Sequence, residues 1–274
     1  MDFTQNDAEI IKIDFECSTC KKLDTQNSRI PVQRVIEKLD NCFKTNDLQS
    51  GVRLLEYWQD EAKALGDLSG ELSIVNEMLG IYRRTNDGDK ALSAVKRALE
   101  LLKLTENESK ASGATIMLNA ATTLKAFGKA DEALSLYDKV GKVYSRELDK
   151  SDLRRAALFN NHGTALVDLS RFDEAEKLYR QAIEITLSQP DGLLDAAVTY
   201  VNLAHLYEKS EGEMSEKIED CLNQAEQILD NEKISKDAYY AFVSEKCAPS
   251  FDYFGYFLTA QKLYKLSRKI YEGT

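Results

Sequence analysis

Apolar positions recur along this chain at helical spacing, and the helical stripes themselves recur. The second half of the pattern is an apolar or small triplet at four- and seven-residue steps. It reads Ala91/Val95/Ala98, Ala133/Tyr137/Val140, Ala175/Tyr179/Ala182, Ile218/Leu222/Ala225 and Ala260/Tyr264/Ser267. Such steps place three side chains on one face of a helix. Before each triplet stands a second helical stretch with a small residue at its centre: Gly80, Ala121, Gly163, Ala204 and Ala248. Short polar turns such as Arg171-Phe172-Asp173-Glu174 join the two, with the acids at the expected N-terminal end of the second helix. One helix pair cannot bury its own stripe, so the pairs must stack on one another.

The repeat spacing is about 42 residues. The clearest unit contains Phe159-Asn160-Asn161-His162-Gly163-Thr164-Ala165-Leu166, then Ala175, Leu178-Tyr179 and Ala182. Asn119-Ala120-Ala121 with Leu136-Tyr137, Leu79-Gly80-Ile81-Tyr82 with Ala91, and Asn202-Leu203-Ala204-His205-Leu206-Tyr207 with Leu222 repeat its shape. A last copy runs through Cys247-Ala248, Phe251 and Leu263-Tyr264, and a weaker first copy has Asp47-Leu48-Gln49-Ser50-Gly51 in its turn. These residues resemble the tetratricopeptide repeat, in the long-repeat variety of kinesin light chains and many bacterial regulators. The resemblance implies an all-α fold, an α-α superhelix (solenoid) of about six helix-turn-helix repeats. They fall at about 32–67, 69–103, 109–145, 152–187, 193–230 and 236–272, with 32–274 as the repeat domain and 1–31 as an N-terminal cap or tail.

Composition narrows the function classes. The net charge is −10, from 36 Lys and Arg against 46 Asp and Glu, which disfavours nucleic acid as a partner. Only 13 glycines and 3 prolines interrupt 274 residues, too few turns for an all-β sandwich. No run approaches the 18 apolar residues that suggest a membrane span, and the start, Met1-Asp2-Phe3-Thr4, lacks a secretory pattern. Five cysteines, an odd number lying mostly within helical patterns, fit a reducing compartment, so a cytoplasmic location is expected. Cys17-Ser18-Thr19-Cys20 has ligand-like spacing but no second pair to complete a zinc site, and free thiols are the simpler reading.

No nucleophile with a base, phosphate loop or metal cluster stands out, so neither an enzyme nor a cofactor is expected. His162 and His205 occupy non-equivalent places: His162 should face its own helix pair and His205 the groove. The site candidates are Asn119, Asn161 and Asn202, each two residues before a small residue of successive first helices. An amide offers both a donor and an acceptor, suited to an extended peptide backbone. The family resemblance associates Asn at this place with peptide contact. The plainer alternative is that these amides tie adjacent first helices together or bond locally. Asn160, Thr164, His205, Lys125 and Glu208 are the expected neighbours in a concave groove, while Met78 and Lys246 break the row at its two ends.

The implied function is a scaffold binding a protein or peptide segment. The alternative is a stand-alone intracellular sensor of a small signalling peptide that regulates a partner protein. Ten of the 24 aromatic residues lie between Tyr239 and Tyr271. They read either as an enlarged terminal core or as an exposed patch for homodimerisation or docking. Pro249, inside the last first helix, predicts a kink there.

Overall fold

The computed structural model describes residues 29–45, 47–212 and 215–273. The pair Cys17/Cys20 and most of the expected N-terminal cap lie outside them. Among the described residues there are twelve α-helices and no strand. They are α1 (Val32–Lys44), α2 (Leu48–Leu65), α3 (Leu68–Arg84), α4 (Gly88–Leu104), α5 (Ala111–Ala126) and α6 (Ala130–Glu147). Then follow α7 (Leu153–Asp168), α8 (Phe172–Leu187), α9 (Leu193–Glu211), α10 (Glu216–Leu229), α11 (Ala238–Tyr253) and α12 (Phe257–Glu272). A short 3-10 helix, Pro190–Gly192, leads into α9. The odd-numbered helices are the first members of the pairs and the even-numbered helices the second. The chain divides into two compact units, one ending at Leu148 and one starting at Asp149.

Local chemistry fixes where the helices begin. Asp47, Asp67 and Asp87 cap α2, α3 and α4, each accepting a backbone N–H three residues on, at 3.0, 2.9 and 3.2 Å. Asp67 also accepts the Ile30 N–H at 3.1 Å, which anchors the start of the described chain against α3. The turns inside the pairs use a left-handed residue: Asn86, Gly128, Ser170 and Gly255 have φ of 54°, 76°, 58° and 86°. That one residue reverses the chain direction so that the second helix folds back on the first.

The first turn differs from expectation. Gln49, Ser50 and Gly51 are helical, because Asp47 caps α2 directly before Leu48. Gly51 serves packing instead: a Cβ there would sit 2.7 Å from Ile81 Cδ1 on α3. Pro249 lies within α11, and the helix continues past it to Tyr253.

In the unit ending at Leu148, α3 packs on α4, α5 on α6, and the first helices α1, α3 and α5 also meet in succession. In the unit from Asp149, α7 pairs with α8, α9 with α10 and α11 with α12, and α9 touches both α7 and α11. The triplet positions form the core, and Val95, Ala98, Tyr137, Val140, Tyr179, Ala182, Leu222 and Ala225 are all buried. Each large side chain among them contributes about 2 kcal/mol by leaving water. Gly163 lets α7 approach α8 closely, since a Cβ there would fall 2.7 Å from the Tyr179 ring.

An ion pair between a buried carboxylate and a half-buried arginine locks α3 to α4. Arg97 donates through Nε and Nη2 to the two oxygens of Glu71, at 2.8 and 2.7 Å. Glu71 is 1% exposed. The bidentate fork matches the carboxylate and offsets its desolvation. A second device occurs once in each unit. Tyr82 donates to Glu56 of α2 at 3.3 Å, and Lys90 of α4 donates to the same carboxylate at 2.8 Å. Tyr207 donates to Glu176 of α8 at 2.8 Å, with Lys217 of α10 lying 4.9 Å from the Tyr207 ring centre. In both cases the phenol of a first helix reaches the second helix of the preceding pair.

Candidate functional site

Three first helices in the unit from Asp149 carry a continuous row of polar contacts. Asn202 Nδ2 of α9 donates to Asn160 Oδ1 of α7 at 2.9 Å. His205 of α9 meets Ser250 Oγ of α11 through Nε2 at 2.9 Å, and its Nδ1 faces Glu208 Oε2 at 3.3 Å. The Tyr253 hydroxyl of α11 donates to Glu208 Oε1, and the Tyr239 hydroxyl of α11 donates to Asp195 of α9. Phe254 stacks obliquely on His205, with ring centres 4.8 Å apart. Burial pulls the His205 pKa below its ordinary value, outweighing the nearby Glu208 carboxylate. The imidazole is therefore neutral at pH 7, a hydrogen-bonding wedge between α9 and α11.

Asn161, next to Asn160, bonds within its own helix, donating to the Ala157 carbonyl at 2.8 Å. Thr164 donates to the Asn161 carbonyl at 2.7 Å. Asn160, Asn161 and Asn202 are buried, whereas Thr164, His205 and Glu208 are half-buried and form the accessible part of the row. His162 is half-buried near Glu174, at the start of its own pair's second helix, whose carboxyl is held below the usual range chiefly by its hydrogen bonds from Arg171.

The unit ending at Leu148 has a corresponding stretch. Asn119 Nδ2 of α5 donates to Asn76 Oδ1 of α3 at 2.9 Å. Arg83 of α3 donates through Nη1 to Thr123 Oγ1 at 2.8 Å and to the Asn119 carbonyl at 3.2 Å. Lys125, six residues after Asn119 on α5, is buried as well. The same amide-to-amide clasp thus joins adjacent first helices in both units.

Sequence spacing placed Asn119, Asn161 and Asn202 in equivalent positions, and the structure gives them two environments. Asn119 and Asn202 reach a neighbouring helix, and Asn161 bonds locally. Asn76 and Ser250 take part without having been singled out. Asn76 lies four residues before Gly80 and two before Met78, the residue that aligns with Asn119. Ser250 follows Pro249 in a stretch whose pattern pointed only to disruption.

Among the described residues, no group of three or more His, Cys, Asp or Glu is placed to hold a metal ion. No helix among them is long and apolar enough to cross a membrane. Cys221 and Cys247 are buried free thiols whose pKa values burial pushes up to about 12.

Residues 154–231 match the tetratricopeptide repeat family. None of the curated proteins matches the chain in sequence. Among solved structures, the chain is similar to a Podosopora anserina protein described as a kinesin light chain with nearly identical TPR-like repeats. The TM-score is 0.50 at 18% identity, over 72% of this chain and 92% of that one. It is similar also to a Rap protein complexed with competence and sporulation factor. There the TM-score is 0.50 at 13% identity, over 86% of this chain and 73% of that one. BtubC from P. vanneervenii aligns over 89% of this chain and 92% of its own, with a TM-score of 0.49 and 18% identity. Residues 154–231 thus match the tetratricopeptide repeat family, and the helix-pair fold of such repeats recurs along the rest of the described chain.

Proposed function

We propose that this protein is a non-enzymatic cytoplasmic scaffold that holds a peptide segment of a partner protein across its first helices. The observation that carries this reading is the polar row through α7, α9 and α11, from Asn160/Asn202 to His205/Ser250 and Glu208. The buried Asn160–Asn202 contact fixes the spacing of the row, and its half-exposed members carry the polar groups that suit a peptide backbone. Thr164, His205 and Glu208 supply its half-exposed edge, and Tyr253 and Phe254 an aromatic wall. In the other unit, Asn119 and Lys125 of α5 are the matching candidates. The resemblance to a Rap protein solved with competence and sporulation factor favours a second reading, in which the segment is a short free signalling peptide and binding regulates a separate partner.

The test is selection of peptides from a random display library on the whole protein, followed by calorimetry of the best binder. The Thr164→Ala/Glu208→Gln variant, changed at the accessible edge of the row, should bind that peptide about tenfold more weakly or worse, a loss typical of removing hydrogen bonds to a ligand, while its circular dichroism stays helical. Unchanged affinity would overturn the site.

A further inference from the structure

The outer face of α12 is built like a surface that another helix covers. Its triplet residue Tyr264 aligns with Tyr137, Tyr179 and Leu222, which are 1%, 1% and 0% exposed, yet Tyr264 is 44% exposed. The reason is visible at α8. There Glu176 and Arg180, on either side of Tyr179, bond the Tyr207 hydroxyl of α9, so the next first helix lies along that stretch. On α12 the aligned Gln261, Lys262, Tyr264 and Lys265 are exposed on either side of a buried Leu263, and no helix among the described residues covers them. Phe257, Tyr264 and Tyr271 recur every seven residues and form one exposed aromatic stripe, with Leu258 beside it at 84% exposed.

Charge points to what fits there. The chain as a whole carries −10, but α12 has Lys262, Lys265, Arg268 and Lys269 against the single carboxylate of Glu272. Lys262 is held by Asp230 at 2.6 Å, while Lys265, Arg268 and Lys269 are exposed alongside the stripe. A second copy pairing through the same face would set these cations against one another, a costly juxtaposition. We propose that the outer face of α12 docks an acidic amphipathic helix of a partner protein, lying as α9 lies on α8. This surface is separate from the polar row on the first helices.

The probe is a fluorescein-labelled peptide copying Leu193–Glu211, the helix that covers α8, whose carboxylates Asp195, Glu208 and Glu211 outnumber Lys209. Its binding to the full chain is followed by anisotropy beside a control peptide carrying lysine at those three acidic positions. Saturable binding of the acidic peptide is expected, weakened about tenfold or more by Lys265→Glu/Arg268→Glu/Lys269→Glu, as for other docking charges. These three side chains are exposed, so the variant should fold, and Tyr264→Ala should weaken binding as well. The proposal is overturned by absence of saturable binding, by equal affinity for the lysine peptide, or by an unaffected triple variant. A concentration-dependent dimer in sedimentation that Tyr264→Glu abolishes would overturn it too, because the occupant would then be a second copy.

Discussion

The amide of Asn202 on α9 donates to the amide oxygen of Asn160 on α7 at 2.9 Å, and both side chains are buried. The same clasp joins Asn119 to Asn76 at 2.9 Å in the other unit. A neutral amide pair buried at this junction contributes position more than energy, because it satisfies polar groups that would otherwise be stranded. It also sets the register of one first helix against the next, and with it the spacing of every group in the polar row.

Breaking one half of the clasp should cost more than removing both. Asn202→Ala strands the Asn160 oxygen and should lower stability by about 1–3 kcal/mol. Urea unfolding of both single variants and the Asn160→Ala/Asn202→Ala double variant should give a coupling of about 1 kcal/mol. Additive effects would mean that the two amides do not act as a pair.

Arg97→Ala should be among the most damaging substitutions away from the apolar core. It leaves the Glu71 carboxylate, 1% exposed, without its bidentate partner, at a cost of about 3 kcal/mol. Replacing both residues, as Glu71→Leu/Arg97→Met, should recover most of that loss, measured by the shift of the urea midpoint. A double variant as unstable as Arg97→Ala would show that the lost charge partner is not the cause.

In an open helix Gly→Ala gains about 1 kcal/mol. At Gly163 the sign should reverse, because the added methyl would meet the Tyr179 ring at 2.7 Å. Overpacking of this kind costs about 1–3 kcal/mol. Gly163→Ala should therefore lower the melting temperature, and adding Tyr179→Leu should restore part of it by vacating the ring.

His205 sets an acid limit. Burial holds its pKa below the ordinary 6.5, so as pH falls the unfolded chain takes up a proton before the folded chain does. Its contribution to stability is complete above about pH 6.5 and declines below that value. Ser250, Glu208, Tyr253 and Phe254 surround the ring, and Lys209 also disfavours the imidazolium. Unfolding midpoints measured at pH 7.5 and pH 5.5 should differ less in His205→Gln than in the wild-type protein. An equal difference in both would remove His205 from the acid response.

The helix pairs were legible before any coordinates because their signals are local. Triplets such as Ala175/Tyr179/Ala182 lie on one helical face by geometry alone, and the small residue in each first helix marks where two backbones approach. The buried Tyr179 beside Gly163 shows that relationship directly. The first turn was misplaced at Asp47–Gly51, since a capping Asp and a packing Gly look like turn residues in sequence.

The polar row depended on contacts that no spacing rule supplies. Asn160 and Asn161 are neighbours in sequence, but adjacent residues point about 100° apart around a helix. The rotation of α7 against α9 selects Asn160 as the partner of Asn202 and leaves Asn161 to its own backbone. Tyr264 and Tyr179 occupy the same place in the same motif, yet one is exposed and the other buried. A repeat pattern specifies the face a side chain occupies, through helical period and side-chain size. Whether that face is covered, and by which atoms, depends on the neighbouring helix that packs against it.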